Sequence, residues 1–232
     1  VKTLFIAGTD TEVGKTVVSR ALLQSFIQAG FSAAGYKPVA RCGVKTEEGL
    51  RNKDALFLQS ASSMMLPYQA VNPVIFEKEE IGGYPPCEVN YARISQGLKN
   101  LHQLADRVVV EGTGGWRSLM NDAQPLSAWV VEQQLPVILV VGIKTGCISH
   151  ALLTAEAILG DGLPLAGWVA NRINPGLAHY AEIISVLRDK LPAPLLGELP
   201  YLPRVEQRDV SRYLDISLLD ADKLSVAKAK IA

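Results

Sequence analysis

The stretch GTDTEVGKT, Gly8–Thr16, follows a short apolar run, TLFIA at 3–7, and leads into VVSRALLQSFIQAG at 17–30. A strand, a glycine-bearing loop and a Lys-Thr pair opening a helix form the context of a phosphate-binding loop. The usual pattern is G-x-x-x-x-G-K-[ST]; here Thr9 occupies the first glycine position and Gly8 lies one place earlier. Backbone N–H groups and the helix dipole both favour an anion at such a place. Lys15 is positioned to reach the β- and γ-phosphates of a nucleotide, and the Thr16 hydroxyl to ligate Mg²⁺. A glycine-containing turn with an incidental lysine is the alternative.

Outward from this loop, short β-rich runs alternate with longer segments of helical period. Strands are expected near Thr3–Ala7, Ala34–Val39, Arg107–Val110, Val137–Val141, Leu165–Ala170 and Pro194–Glu198. Helices are expected near Lys15–Gln28, Asn52–Ser60, Tyr91–Leu104, Leu126–Gln133, Ser149–Leu159 and Ala178–Asp189. VILVV at 137–141 is apolar at every position, as in a strand covered on both faces. The alternation predicts an α/β fold: a three-layer, doubly wound, mostly parallel sheet with helices on both faces. Ligands in such sheets bind beyond the C-terminal ends of the strands.

The chain has 232 residues, with 23 Lys and Arg balancing 23 Asp and Glu. That length suits one α/β domain across 1–232, with 219–232 a peripheral tail of little buriable surface. Balanced charge without basic clusters argues against nucleic acid as a partner. Cys42, Cys87 and Cys147 form neither a zinc pair nor a disulfide framework, which suits a reducing compartment. LPVILVVGI at 135–143 is too short to span a bilayer, and the N-terminus lacks a signal-peptide pattern, so a cytoplasmic protein without membrane contact is expected. EKEEIGGYPPCEV at 77–89 reads as a surface loop.

Residues at later strand ends extend the site. Lys37, in GYKPVA, could stabilise charge on a transferring phosphoryl group, or be a solvated lysine at a sheet edge. Asp54, in the first turn of a helix capped by Asn52, could hold magnesium or only complement the helix dipole. Glu111 follows an apolar strand and opens EGTGGW, the place for a second metal-facing carboxylate beside a backbone that can approach a ligand closely. The segment GIKTGCISHA at 142–151 either offers a second helix N-terminus, capped by Ser149, to a carboxylate or is an ordinary connection. His102, His150 and His179 are isolated, and Trp116, Trp129 and Trp168 are scattered and expected to pack.

GTDTEVGKT at 8–16, GYKPVA at 35–40, GLRNKDAL at 49–56, VVVEGTGGW at 108–116, LPVILVVG at 135–142 and LAGWVAN at 165–171 together resemble the dethiobiotin synthetase family, over most of the chain to about Pro200. The offset phosphate loop is part of that family's pattern. The resemblance implies an ATP- and Mg²⁺-dependent carboligase acting on 7,8-diaminopelargonate and CO₂ through a carbamate and a carbamic-phosphoric anhydride. It implies that Lys15, Lys37 and Thr11 act at the phosphates and carbamate, and that Thr16, Asp54 and Glu111 hold the metal. Nucleotide contacts are implied along Glu12, Val13, Gly14, Lys15, Thr16 and Val17, at Glu111, Gly112, Thr113 and Gly114, and at Asn171 and Arg172. Pro200, Tyr201 and Leu202 would cover the adenine. A homodimer is implied, with the substrate tail reaching a partner helix N-terminus at the place matched by Gly146, Cys147 and Ser149.

Departures from the family pattern fall on the substrate side. Arg41 stands where a serine is usual, EKEEIGG replaces a Pro-His segment after Phe76, Ser149 replaces asparagine, and Arg172 replaces aspartate. Tyr180 is the nearest match for the tyrosine usually near the substrate carboxylate. Arg41 could bind a carboxylate or carbamate, or fill space the diamine needs. Three alternatives follow: a paralogue activating a different substrate, an ATP-dependent amidoligase of a corrinoid precursor, and a nucleotide-switched partitioning-type ATPase dimer. The amidoligases carry a further glutaminase domain, and the switches a lysine where this chain has Asp10.

Overall fold

The computed structural model describes residues 1–77, 89–120, 124–205 and 208–219. Six parallel strands form the central sheet in the order β10-β9-β8-β1-β7-β2. They are β1 (Thr3–Gly8), β2 (Ala33–Tyr36), β7 (Arg107–Gly115), β8 (Val137–Gly142), β9 (Leu165–Asn171) and β10 (Leu195–Leu199). β1, β8 and β9 are buried along their whole length, which explains why their sequences are apolar without alternation.

The order reverses direction at β1: the chain leaves it toward β2 on one side and later builds β8, β9 and β10 on the other. Right-handed crossovers in opposite directions put helices on opposite faces. α1 (Lys15–Gln28) packs with α2 (Lys53–Ala61) and with the 3₁₀ turns Ser211–Tyr213 and Ile216–Leu219. Against the other face lie α4 (Tyr91–Leu104), α5 (Leu126–Glu132), α6 (Cys147–Gly160) and α7 (Tyr180–Lys190). Trp129 of α5 is buried there, its indole N–H bonded to Ser95 Oγ of α4 at 2.9 Å. Trp116 and Trp168 are buried as well.

Several boundaries differ from expectation. β2 stops at Tyr36 because the Lys37 N–H donates to Val71 O at 2.8 Å and Pro38 has no N–H to offer. The next residues, β3 (Val39–Ala40), pair instead with β6 (Val74–Ile75) in a separate two-stranded sheet. An antiparallel hairpin, β4 (Val44–Thr46) and β5 (Gly49–Arg51), and a short helix α3 (Tyr68–Val71) were not anticipated. β7 runs on to Gly115, which pairs with Gly8, so Glu111 lies inside the strand. Leu219, assigned to the tail by composition, is buried; residues 220–232 and most of the 77–89 loop lie outside the described residues.

No helix among the described residues is long and apolar enough to cross a membrane. α1 anchors the phosphate loop through a fully buried inner face that includes Val18, Ala21 and Leu22. Leu22→Ala is therefore expected to lower stability by about 2–5 kcal/mol. Urea unfolding checks this, and the folded fraction should keep its affinity for nucleotide.

Candidate active site

The phosphate loop runs from the end of β1 to the start of α1. Gly14 is the residue before α1 and takes a left-handed conformation, φ +92°. A Cβ there would lie 2.0 Å from Asn171 Nδ2, so only glycine fits. Gly8 is enclosed by the loop it opens: a Cβ would meet Val13 Cγ2 at 2.8 Å and Asp10 O at 2.9 Å. The loop thus closes over Gly8, one place before the motif's first glycine position. Glu12 also takes a left-handed conformation, φ +59°.

The loop is fastened at three points. Asn171 Nδ2 donates to Val13 O at 2.9 Å. Lys144 Nζ, from the segment after β8, donates to Asp10 Oδ2 at 2.6 Å, and Asp10 Oδ1 accepts the Thr11 N–H at 2.8 Å. Those bonds hold the Asp10 carboxyl below its ordinary range. Asp10 and Lys144 escaped the sequence reading because they lie 134 residues apart and carry no motif. Lys15 is 8 % exposed and its Nζ donates to Asp10 O at 3.0 Å. Burial, with a contribution from the positive charge of Lys37, lowers its pKa to about 8.

Beside the loop lies a largely buried charged cluster. Glu111 is fully buried, and Lys37, immediately after the neighbouring strand β2, is 3 % exposed. Lys37 Nζ donates to Glu111 Oε1 at 2.7 Å and to Gly112 O at 2.8 Å, and lies 3.7 Å from Asp54 Oδ2. Thr16 Oγ1 donates to the same Glu111 Oε1 at 2.9 Å. The solvated-lysine reading of Lys37 is overturned by this burial. Asp54 does sit in the first turn of α2, which Asn52 caps by accepting the Ala55 N–H at 3.0 Å. Its carboxylate is 44 % exposed and turned toward Lys37, so it faces the cluster as well as the dipole.

The residues fit a magnesium ion carried with a nucleotide. Glu111 Oε2 is buried without a hydrogen-bond partner among the described residues, and Glu111, Asp54 and the Thr16 hydroxyl all face one cleft. No cluster of three or more His, Cys, Asp or Glu side chains at metal-binding spacing occurs among the described residues. Magnesium takes few protein ligands and leaves the remaining positions to water and phosphate oxygens.

The cleft encloses about 450 Å³. It brings together Thr11, Glu12, Gly14, Lys15, Thr16, Lys37, Arg41, Asp54, Glu111, Thr113 and Gly114, and adds Cys42, Asn52 and Ser118, which the sequence did not single out as ligand-facing. Val13 is buried under the loop, while Val17 borders a smaller depression with Phe57 and Val205. Gly112 contributes its carbonyl to Lys37.

Other expected residues lie outside the cleft lining. Arg172 stacks on Tyr180, 4.7 Å from the ring centroid, and donates to Pro175 O at 3.0 Å. The Tyr180 hydroxyl is engaged with Glu198 at 3.3 Å. Pro200, Tyr201 and Leu202 follow β10, with Tyr201 54 % exposed. Ser149 does not cap α6: the helix begins at Cys147 with Gly146 before it at φ +82° and no side-chain cap. Gly146 and Ser149 are exposed and Cys147 is buried; Lys144 ties this segment to the phosphate loop.

Residues 2–209 match the family model described as an AAA domain. The chain is 66% identical over 218 residues, 94% of either chain, to a protein of Escherichia coli strain K12 named ATP-dependent dethiobiotin synthetase BioD 2. The chain belongs to the dethiobiotin synthetase family. A Yersinia pestis protein of the same name is 60% identical, covering 93% of this chain and 97% of its own. The ATP-dependent dethiobiotin synthetase BioD of Vibrio campbellii is 51% identical, covering 93% and 96%. Among solved structures, the MinD cell division protein of Aquifex aeolicus superposes with a TM-score of 0.54 over 100% of this chain and 97% of its own. At 12% identity that likeness shows the fold alone.

Two outcomes test the site. Lys37→Met leaves a buried, uncompensated carboxylate and should cost about 3–5 kcal/mol of stability, whereas the double variant Lys37→Met/Glu111→Gln should recover most of it. Chemical denaturation of the double-mutant cycle measures the coupling. For Lys15, the folded pKa of about 8 lies below the ordinary 10.5. In that window the unfolded chain holds more protons, so the free protein gains stability as pH rises from about 8. A triphosphate favours the ammonium form, so ATP binding should take up a proton above pH 8 and weaken with rising pH. Calorimetry in buffers of different ionisation enthalpy checks this, and Lys15→Met should remove the uptake.

Proposed function

We propose that this chain catalyses the ring-closing carboxylation of 7,8-diaminopelargonate to dethiobiotin, a step of biotin synthesis driven by ATP. It is a ligase. One amine adds CO₂ to give a carbamate, the terminal phosphoryl group of ATP passes to a carbamate oxygen, and the second amine attacks the carbonyl carbon. The ring closes as a cyclic urea and phosphate leaves. The observation that carries the reading is a buried Lys37–Glu111 pair beside a phosphate loop, in a chain 66% identical to a named ATP-dependent dethiobiotin synthetase.

The residues fit this chemistry. The loop N–H groups, with Lys15, orient the phosphates and neutralise their charge. Lys37 is a compact cation at the cleft floor, suited to the charge that develops between phosphate and carbamate. Thr11 lies at the loop edge facing the same cleft. Thr16, Asp54 and Glu111 would hold magnesium, which supplies charge neutralisation on the phosphates when bound. Asn171 commits Nδ2 to Val13 O, which leaves its Oδ1 to accept from the amino group of adenine.

The finer assignments are part of the same reading. Residues 1–232 form one catalytic domain, with 219–232 its peripheral tail. Tyr201 and its neighbours cover the adenine from the segment after β10. A cytoplasmic homodimer brings Gly146, Cys147 and Ser149 of one protomer to the substrate tail in the other; the exposed, uncapped α6 N-terminus supports this.

Purified protein given ATP, Mg²⁺, bicarbonate and the diamine should release phosphate in a diamine-dependent manner, with dethiobiotin detected by mass spectrometry. Phosphate release indifferent to the diamine would overturn the reading in favour of a nucleotide switch or another substrate. Lys37→Met should lower kcat at least ~100-fold, since a donor aimed at developing charge is worth about 2.7–4 kcal/mol.

A further inference from the structure

Asp161 carries more bonds than its place in the chain calls for. It is the first residue after α6, at the negative end of that helix's dipole, where a carboxylate is disfavoured. Three donors nevertheless converge on it, all from the two residues that follow β7. The Trp116 indole N–H donates to Oδ2 at 2.8 Å, Arg117 Nη1 donates to the same oxygen at 2.7 Å, and Arg117 Nη2 donates to Oδ1 at 2.8 Å. The Arg117 contact is bidentate, a geometry that adds direction as well as attraction. Burial works against the ionised form, yet these bonds hold the Asp161 carboxyl below its ordinary range.

What these bonds hold is a bulge. From the pair Ile6–Glu111 to the pair Gly8–Gly115, β1 advances two residues and β7 four. The extra length, in the stretch 112–114, leaves the ladder, and Thr113 and Gly114 line the cleft. Within the bulge the Gly112 carbonyl accepts from Lys37 Nζ at 2.8 Å. One tie is Thr113 Oγ1, which donates to Val39 O at 2.5 Å. Packing against the bulge is incomplete: a cavity of about 10 Å³, room for about one water, lies between residues 112–116 and Phe5, Leu126 and Ser127. Trp116 follows the bulge, buried edge-on to Phe5 with 6.0 Å between ring centroids. The bonds to Asp161 therefore set where the chain leaves the bulge.

We propose that Asp161, which lies outside the cleft lining, is a positioning residue for phosphoryl transfer: it fixes Trp116 and Arg117, and through them the bulge whose Gly112 carbonyl aims Lys37. The proposal rests on the ring-closing reading above, in which Lys37 meets the charge that develops during transfer. Arg117 shares the work from a more exposed position. The phosphate loop has its own fastenings through Asn171 and Lys144, so binding of a nucleoside diphosphate does not depend on this contact.

The test compares the full-length wild type with Asp161→Ala, Asp161→Asn, Arg117→Gln and the double variant Arg117→Gln/Asp161→Ala. kcat comes from diamine-dependent phosphate release per folded molecule, and ADP affinity from calorimetry. Asp161→Ala should lower kcat roughly 10- to 100-fold, the scale of a displacement of up to ~1 Å at a reacting centre. Its ADP affinity should stay within about twofold of wild type. Asp161→Asn keeps an acceptor for the Trp116 N–H without the charge, so it should fold normally and lose less. The double variant should lose no more than Asp161→Ala alone, because both residues act through one contact. A kcat within about twofold of wild type in Asp161→Ala, even with a lowered Tm, overturns the proposal and leaves Asp161 a structural pin. Weakening of ADP binding equal to the loss in kcat, or losses that multiply in the double variant, also overturn it. Should the wild type show no diamine-dependent phosphate release, the reaction reading fails by itself. Hydrogen exchange of residues 108–118 in the ADP-loaded protein then decides: faster exchange in Asp161→Ala confined to that stretch supports a bulge held by Asp161, and unchanged exchange refutes it.

Discussion

Glu111 is a carboxylate with no exposure to water, built into the middle of the sheet next to the central strand. Removing such a charge from water costs several kcal/mol unless partners replace the solvent. The protein supplies Lys37 from the adjoining strand end and the Thr16 hydroxyl from the first turn of α1. Each partner is held elsewhere in turn. Lys37 is fixed by the backbone turn onto Val71, and Thr16 by the phosphate loop that Asn171 and Lys144 fasten. A requirement to compensate one acid thereby organises the ends of β1, β2 and β7 into a single polar floor.

That floor also defines the chemistry. Lys37 stands between the two carboxylates, Glu111 and Asp54, that would face magnesium in the working enzyme. A cation held next to a metal-facing acid pair would suit phosphoryl transfer, where catalysis is mainly positioning and charge stabilisation. Lys15 is prepared differently: burial lowers its pKa to about 8, so a phosphate bound beside it would favour the charged form. The two lysines are thus held in opposite electrostatic settings within one cleft.

Much of this was legible in the sequence because its signals are local. The six parallel strands announced themselves as apolar runs, GKT and Asp54 stood at helix starts, and Glu111 directly followed the apolar run RVVV at 107–110. What stayed hidden depends on pairings distant in the chain. The break at Lys37–Pro38 needs Val71 as a partner, and the continuation of β7 to Gly115 needs Gly8. Ser149 looked like a cap by residue type, but Gly146 adopts the left-handed conformation that starts α6 two residues earlier. Arg41 was conspicuous as a departure from a family pattern, yet its contact with Leu119, 78 residues away, had no sequence signature.

The central claim is that the cleft activates a carbamate oxygen by phosphoryl transfer, rather than merely hydrolysing ATP. The most direct measurement is the fate of oxygen in a single turnover begun with ¹⁸O-labelled bicarbonate in unlabelled water, faster than CO₂ exchanges its label. The account predicts that the phosphate released carries one ¹⁸O, handed over from the carbamate as the ring closes. Phosphate without label, formed at the same rate, would contradict it, because the oxygen would then have come from water.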